Sequence, residues 1–250
     1  MSLYPVLSVQ DPKILRRIEP DACGAVYAYA VASGLQSGMM FSDNAEHSLL
    51  VRHSCGFALL FGRTDEKTLR TAGEMILHPE PYARMILFAP NEETVSFFAG
   101  ESAFAMGRRL FFRYPEDAPD PPENTQATAI TADILEQISG WNIPSVSWDR
   151  PEDFLSKGGG FCEMRDGIPA SWAYASAVSD RETDIGIETD ARYRRQGLAF
   201  AAASAMIRHV RQTGKTPVWA CRAENEASKN LALALGFVQT GECVTVMKAT

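Results

Sequence analysis

The chain has 250 residues, 46% of them hydrophobic and 22% charged, enough apolar material for one large or two modest domains and the wrong composition for a disordered or fibrous protein. Its 24 Lys and Arg against 31 Asp and Glu give a formal net charge of −7, the wrong sign for a nucleic-acid partner, so any phosphate recognition has to be local. Apolar runs such as Met85–Ala89 fall far short of the ~20 residues that span a bilayer, and no charged segment leads into an apolar one after Met1; the expectation is a cytoplasmic chain with no membrane partner.

Five cysteines, Cys23, Cys55, Cys162, Cys221 and Cys243, are an odd number with no C-x-x-C spacing, and read as reduced thiols. The four histidines include no pair at i, i+4 and no thiolate beside them, so no metal is expected.

Along the first half, apolar strand-like runs (Gly56–Phe61, Arg84–Phe88, Arg109–Arg113) alternate with helical stretches opened by capping residues, as at Thr64-Asp65-Glu66-Lys67 before Leu69 and Ile76. This predicts a smaller α/β domain over 1–124, acidic at 11 basic to 16 acidic residues up to Thr125. It ends in the stretch 116–124, whose three prolines, four acids and lack of large apolar residues predict a linker. No internal repeat is visible.

From residue 125 onward the signals sharpen. Thr128–Ile130 reads as a short strand, Thr131 caps a helix through Ile134 and Ile138, and Ser147–Leu155 holds a second short helix with Pro151 in its first turn. Phe161–Arg165 and Ile168–Val178 flank Asp166-Gly167, a strong hairpin signal, and Thr183–Thr189 follows as a third strand. Alanine-rich Leu198–Thr213 is helical, Pro217–Cys221 a strand, Ala227–Leu235 a helix, and Phe237 with Val244–Met247 closes in extended structure.

The chemistry centres on Arg194-Arg195-Gln196-Gly197-Leu198-Ala199-Phe200, between a strand and the start of the long helix. A helix start offers unpaired N–H groups and the positive end of the macrodipole, and small residues there let an anion reach the backbone. From Asp190 to Arg222 seven basic residues face one acid, a local reversal of sign that suits a polyphosphate.

This loop, the helix opened by Asn225-Glu226-Ala227-Ser228 and running to Gly236-Phe237, and the surrounding order of elements resemble the GNAT N-acetyltransferase superfamily over residues 125–250. Trp148 to Phe154-Leu155, the glycines before Phe161 and Ile185–Thr189 are similar to a bacterial subgroup with an extra N-terminal domain. The resemblance implies an α+β chain whose C-terminal domain carries a splayed, mixed, mostly antiparallel sheet flanked by helices. It implies acetyl-coenzyme A as acyl donor, with its pyrophosphate on Arg194–Phe200. The pantetheine arm would pair near Ile187, Glu188 and Thr189, with Asn225 and Ser228 flanking it.

Amine acetylation needs a base, because an alkylammonium is not nucleophilic, and Glu188 is the candidate. It alternates with Ile185 and Ile187 and is expected on the opposite face; Asp190 and Glu224 read as a turn residue and a strand-end charge. Ala232 stands where many GNAT enzymes place an acidic tyrosine, which leaves the general acid unassigned. Tyr174 reads as core and Tyr193 as surface loop. Cys162 and Cys221, in apolar strands with no histidine near in sequence, read as inert. Trp172 and Trp219 are candidates for the acceptor pocket.

The acceptor expected is a small, cationic primary amine. A protein N-terminus or lysine, and a non-catalytic acyl-coenzyme A sensor, are the alternatives. The first domain's role stays open among a degenerate acetyltransferase-like fold, a homodimer surface and an acceptor lid.

Overall fold

The computed structural model describes residues 3–6, 9–43, 45–123 and 126–249. The chain forms two compact units of nearly equal length, unit 1 from residues 1–110, 222–224 and 241–250, and unit 2 from residues 111–221 and 225–240.

Unit 1 opens with β1 (Tyr4–Val6), α1 (Pro12–Leu15) and α2 (Ala25–Ala32), followed by the antiparallel meander β2 (Gly38–Ser42), β3 (Ser48–His53) and β4 (Phe57–Gly62). Helix α3 (Glu66–Leu77) returns the chain so that β5 (Ile86–Phe88) lies parallel to β4, and α4 (Glu92–Ala99) leads into β6 (Phe104–Arg113). The Asp65 carboxylate starts α3 by accepting the Thr68 N–H at 3.0 Å. Leu69, Ala72 and Ile76 then recur on one face and pack with Leu50, Leu60, Leu87 and Phe98. β3 is buried along its whole length, which is why Ser-Leu-Leu-Val-Arg-His shows no alternation.

Unit 2 runs β7 (Thr128–Ala129), α5 (Ala132–Gln137), α6 (Pro151–Asp153), then the meander β8 (Gly160–Arg165), β9 (Ile168–Val178) and β10 (Glu182–Thr189). Asp166 and Gly167 both take left-handed backbone, φ 52° and 79°, as a two-residue hairpin turn demands. Helix α7 (Leu198–Gln212) returns the chain to β11 (Thr216–Arg222), parallel to β10, and α8 (Glu226–Leu235) leads into β12 (Val238–Lys248).

The two units therefore repeat one order: a short strand, two helices, a three-stranded meander, a helix, a parallel strand and a helix. The repeat is one of element order, with no internal repeat visible in the sequence. The closing strands explain the discontinuous units. In unit 1 β5 pairs antiparallel with Thr245–Met247 of β12. In unit 2 the N–H of Tyr114, just past β6, donates to the Pro217 carbonyl of β11 at 2.9 Å.

The expected boundary differs accordingly. Asn124 and Thr125 lie outside the described residues, and the compact units divide at Leu110, inside β6. The proline- and acid-rich stretch before them packs on α7 within unit 2. Arg208 donates to the carbonyls of Pro121 (3.2 Å) and Pro122, and Arg211 donates to that of Pro115 (3.1 Å) and meets Asp120 at 2.7 Å. Proline forbids a regular element there but not ordered packing, because the arginines satisfy the carbonyls that a helix or sheet would have used.

Helix α7 covers one face of the unit 2 meander. The Phe161 ring meets His209 of α7 at 5.6 Å, and Phe161 pairs with Ala173, so Ala173 shares that face. Its neighbours at alternate positions, Ser171 and Ala175, are also small and fully buried, which lets the alanine-rich helix lie close. The other face carries Trp172, Tyr174 and, across from Trp172, Glu188. Among the described residues no helix is long and apolar enough to cross a membrane.

Candidate functional site

β10 and β11 pair only from Glu182–Asp184 to Thr216–Val218, and β10 then runs on to Thr189 with β9 alone as partner. The register shift between Asp184 and Ile185 marks the point of divergence, since an irregularity there bends and twists the strand. Beyond it, Ile187, Glu188 and Thr189 lie on a parted strand whose second edge is no longer filled by β11. Each carbonyl on this segment already accepts one hydrogen bond: Ile187 from Asn142 Nδ2 at 3.0 Å, Glu188 from Ser171 Oγ at 3.0 Å and Thr189 from Arg194 Nε at 3.4 Å.

The segment that follows leads to an uncapped helix start. Asp190 opens a single turn over Ala191–Tyr193 by accepting the Arg192 N–H at 2.9 Å, and its ion pair with the Arg192 guanidinium at 2.7 Å holds its carboxyl down at about 2. Arg195 and Gly197 are left-handed, φ 62° and 76°, and Gly197 precedes α7 without a side-chain cap. A Cβ on Gly197 would meet nothing within 4 Å, so glycine serves the backbone angle while the space above the helix start stays open. Arg194, Arg195 and Gln196 are exposed, Leu198 is buried and anchors the helix, and Ala199 and Phe200 are half-buried.

The sequence count of seven basic residues overstates the field at this loop. Arg192 is neutralised by Asp190, and Arg208 and Arg211 are held on the 115–122 stretch. Arg194, whose Nε donates to the Thr189 carbonyl at 3.4 Å, and Arg195 remain as the exposed cations beside the helix start.

Glu188 projects away from α7, as alternation predicts, and its carboxylate meets a loop. Oε2 accepts the backbone N–H of Trp141 at 3.0 Å and of Asn142 at 2.7 Å. Gly140 closes over the same group: a Cβ there would stand 2.5 Å from Oε2 and 2.7 Å from Oε1, so any side chain at this position pushes the carboxylate aside. Asn142 fixes the loop three more times. Besides its bond to Ile187, its Oδ1 accepts the Tyr174 hydroxyl at 2.7 Å and its carbonyl accepts Trp172 Nε1 at 3.0 Å. Trp141, between these anchored residues, has a side chain 93% exposed.

The remaining expected residues have structural partners. Asn225 Oδ1 caps α8 by accepting the Ser228 N–H at 3.1 Å, and Ser228 Oγ accepts Trp219 Nε1 at 3.1 Å. Trp172 and Trp219 are both core residues. Tyr174 is buried as expected, Tyr193 bonds Asp166 at 3.3 Å, and Ala232 is wholly buried, with no room for a tyrosine ring. Burial pushes the Cys162 thiol up to about 12. Sequence reasoning missed Gly140, Trp141 and Asn142. The available signal was a glycine and a tryptophan in a polar segment just past a short helix.

The sequence model of the family described as GNAT acetyltransferase matches residues 21–245. A curated relative, the uncharacterized N-acetyltransferase YdfB of Bacillus subtilis (strain 168), is 28% identical over 118 residues, and that match covers 46% of this chain and 45% of the relative. Among solved structures, a GCN5-related N-acetyltransferase-like protein from Streptococcus suis 89/1591 aligns over 95% of this chain and 98% of its own at TM-score 0.75 and 19% identity. A tandem GNAT protein from the clavulanic acid biosynthesis pathway aligns over 100% of this chain and 98% of its own at TM-score 0.57 and 11% identity. The fold is thus that of GNAT proteins, and the chain belongs to the GNAT acetyltransferase family.

Proposed function

We propose that this protein moves an acetyl group from acetyl-coenzyme A to a primary amine of a small cationic molecule. The observation that carries this reading is the start of α7: an uncapped helix N-terminus, open space above Gly197 and two exposed arginines beside it. That donor set fits a pyrophosphate, with the N–H groups from Leu198 to Phe200 and the Arg194 and Arg195 guanidinia as its partners. Ile187, Glu188 and Thr189, on the parted strand, offer backbone groups at strand spacing to the amides of a pantetheine arm.

Acetyl-coenzyme A, when bound, supplies an activated thioester carbonyl. The chain's own task is then to free the amine lone pair and keep the acceptor in line. Glu188 takes the ammonium proton through Oε1, while the two N–H bonds to Oε2 keep the carboxylate from rotating. The new N–C bond forms as the C–S bond breaks, and the departing thiolate takes up, through water, the second proton that the acylated nitrogen sheds, since the buried Ala232 has none to give. A second reading, a non-catalytic acyl-coenzyme A sensor, draws support from the same Glu188 bonds, because a carboxylate spent on a loop is a poorer base.

Calorimetric titration with acetyl-coenzyme A and coenzyme A at two salt concentrations, with thiol release measured over a panel of amines, decides between them. Salt-sensitive binding with amine-dependent release is expected, and Glu188→Gln should keep donor affinity while losing turnover by a factor of ~10²–10⁴. Binding without release by any amine supports the sensor, and absence of binding removes both readings.

A further inference from the structure

We infer that the 140–142 loop is the acceptor-recognition element of this protein, with Trp141 as the face on which a cationic amine sits and Glu188 as the residue that positions it. This inference rests on the acetyl-transfer reading for the identity of the reaction, though not for the binding event itself.

Three observations carry it. The first is the exposure of Trp141: Trp148, Trp172 and Trp219 are 4%, 2% and 1% exposed, whereas Trp141 is 93% exposed. A large apolar ring left in water gains most from a partner that covers it. The second is that its backbone does not move freely. Trp141 and Asn142 are tied by their own N–H groups to Glu188, and Asn142 is tied further to Ile187, Tyr174 and Trp172, all on β9 and β10. The bonds to Tyr174 and Trp172 also give these buried polar groups their partners, so the loop is part of the packed structure up to the exposed ring. Their combined effect is to hold an exposed indole beside the parted segment of β10, with the Glu188 carboxylate at its base.

The third observation is charge. Residues 132–142, the helix α5 and the loop after it, carry two acids and no Lys, Arg or His. Both acids, Asp133 and Glu136, are exposed on α5. The potential around Trp141 therefore favours a cation, and an indole face next to a carboxylate is suited to an alkylammonium: the ring quadrupole attracts the positive charge and the carboxylate holds its N–H groups. The same end of that strand leads on through Thr189 to Arg194 and Arg195, so a cation-seeking group and an anion-seeking loop lie a few residues apart.

Glu188 thereby has a positioning role distinct from proton transfer. Trp141 separates the two, because Trp141→Ala removes the ring while keeping the backbone N–H that holds Glu188, whereas Gly140→Ala forces a Cβ against the carboxylate and shifts it.

The test uses the full chain with spermidine and kanamycin as amine probes. Trp141→Ala and Gly140→Ala should each raise the KM for the amine about tenfold or more; kcat and the KM for acetyl-coenzyme A should stay within about twofold of the parent in Trp141→Ala, whereas Gly140→Ala, which pushes on the Glu188 carboxylate itself, should also lower kcat. Spermidine should quench the red-shifted, solvent-exposed part of the tryptophan emission, and Trp141→Phe should abolish that quench. Unaltered amine KM in both variants, with robust turnover by the parent chain, overturns the inference and leaves the acetyl-transfer reading standing. Quenching that depends on Trp141 without thiol release from either probe upholds the recognition element and counts against the reaction. Neither quenching nor release with either probe overturns the inference for cationic amines. Circular dichroism melting of both variants separates loss of recognition from loss of fold.

Discussion

Glu188 and Asn142 hold one another from two directions: the Asn142 N–H donates to the Glu188 carboxylate at 2.7 Å, and the Asn142 side-chain amide donates to the carbonyl of Ile187, the preceding residue on the same strand, at 3.0 Å. The same asparagine accepts the hydroxyl of buried Tyr174 at 2.7 Å. Asn142→Ala removes the Oδ1 that accepts this hydroxyl, and with it the side-chain bond to Ile187, and should destabilise the protein by about 1–3 kcal/mol in urea unfolding. Tyr174→Phe combined with it should cost less than the sum of the two single changes, because both remove the same bond. Strict additivity of the two would show that the bond contributes nothing.

Arg194 and Arg195 are exposed and flank the open start of α7. Replacing both by glutamate should leave the melting temperature unchanged and weaken acetyl-coenzyme A binding by about 10–100-fold at low salt, as loss of charge-assisted bonds predicts. The deficit should shrink as salt rises. Equal affinity in parent and variant at low salt would place the anion elsewhere.

The repeated order of elements makes α3 of unit 1 the counterpart of α7. Its start is closed: Asp65 caps it with a carboxylate held below the usual range by the Thr68 N–H, and Glu66 adds a second negative charge in the first turn. The stretch leading into it, Arg63–Asp65, is short beside Asp190–Gly197. An anion meets repulsion there. Calorimetry should therefore give one acetyl-coenzyme A per chain, and two equivalent sites would contradict this account.

His53 is fully buried on β3, its Nδ1 accepts the Cys55 N–H at 3.1 Å, and burial lowers its pKa from 6.5 to about 3. The folded state therefore keeps it neutral while the unfolded chain protonates it below about 6.5. Its contribution to stability is fully present above that pH and is lost as pH falls toward about 3, at a slope of at most about 1.4 kcal/mol per pH unit. His53→Asn, which keeps an acceptor for the Cys55 N–H, should flatten the stability profile between pH 6 and 4 on chemical denaturation. An unchanged slope would assign the acid sensitivity to other groups.

Much of unit 2 is determined by the sequence alone, because its signals are local. The Asp166-Gly167 turn requires two left-handed residues in a row, Thr131 and Asn225 each reach only the third residue of their own helix, and the left-handed Gly197 with no side chain announces an open helix start. Interactions of that range are written in consecutive residues and can be read there. Only the tertiary structure decided the rest. The strand that closes unit 1 comes from Thr245–Met247, more than a hundred residues beyond its partner β5, and a buried apolar strand fits any neighbour of the same character equally well. The arginines of α7 count as free cations in the sequence until the packed 115–122 stretch takes two of them. Glu188 reads as a single carboxylate on a strand, and nothing near it in sequence says that Gly140, Trp141 and Asn142 will be folded onto it, since hydrogen bonds between distant segments depend on where the backbone brings donors and acceptors together.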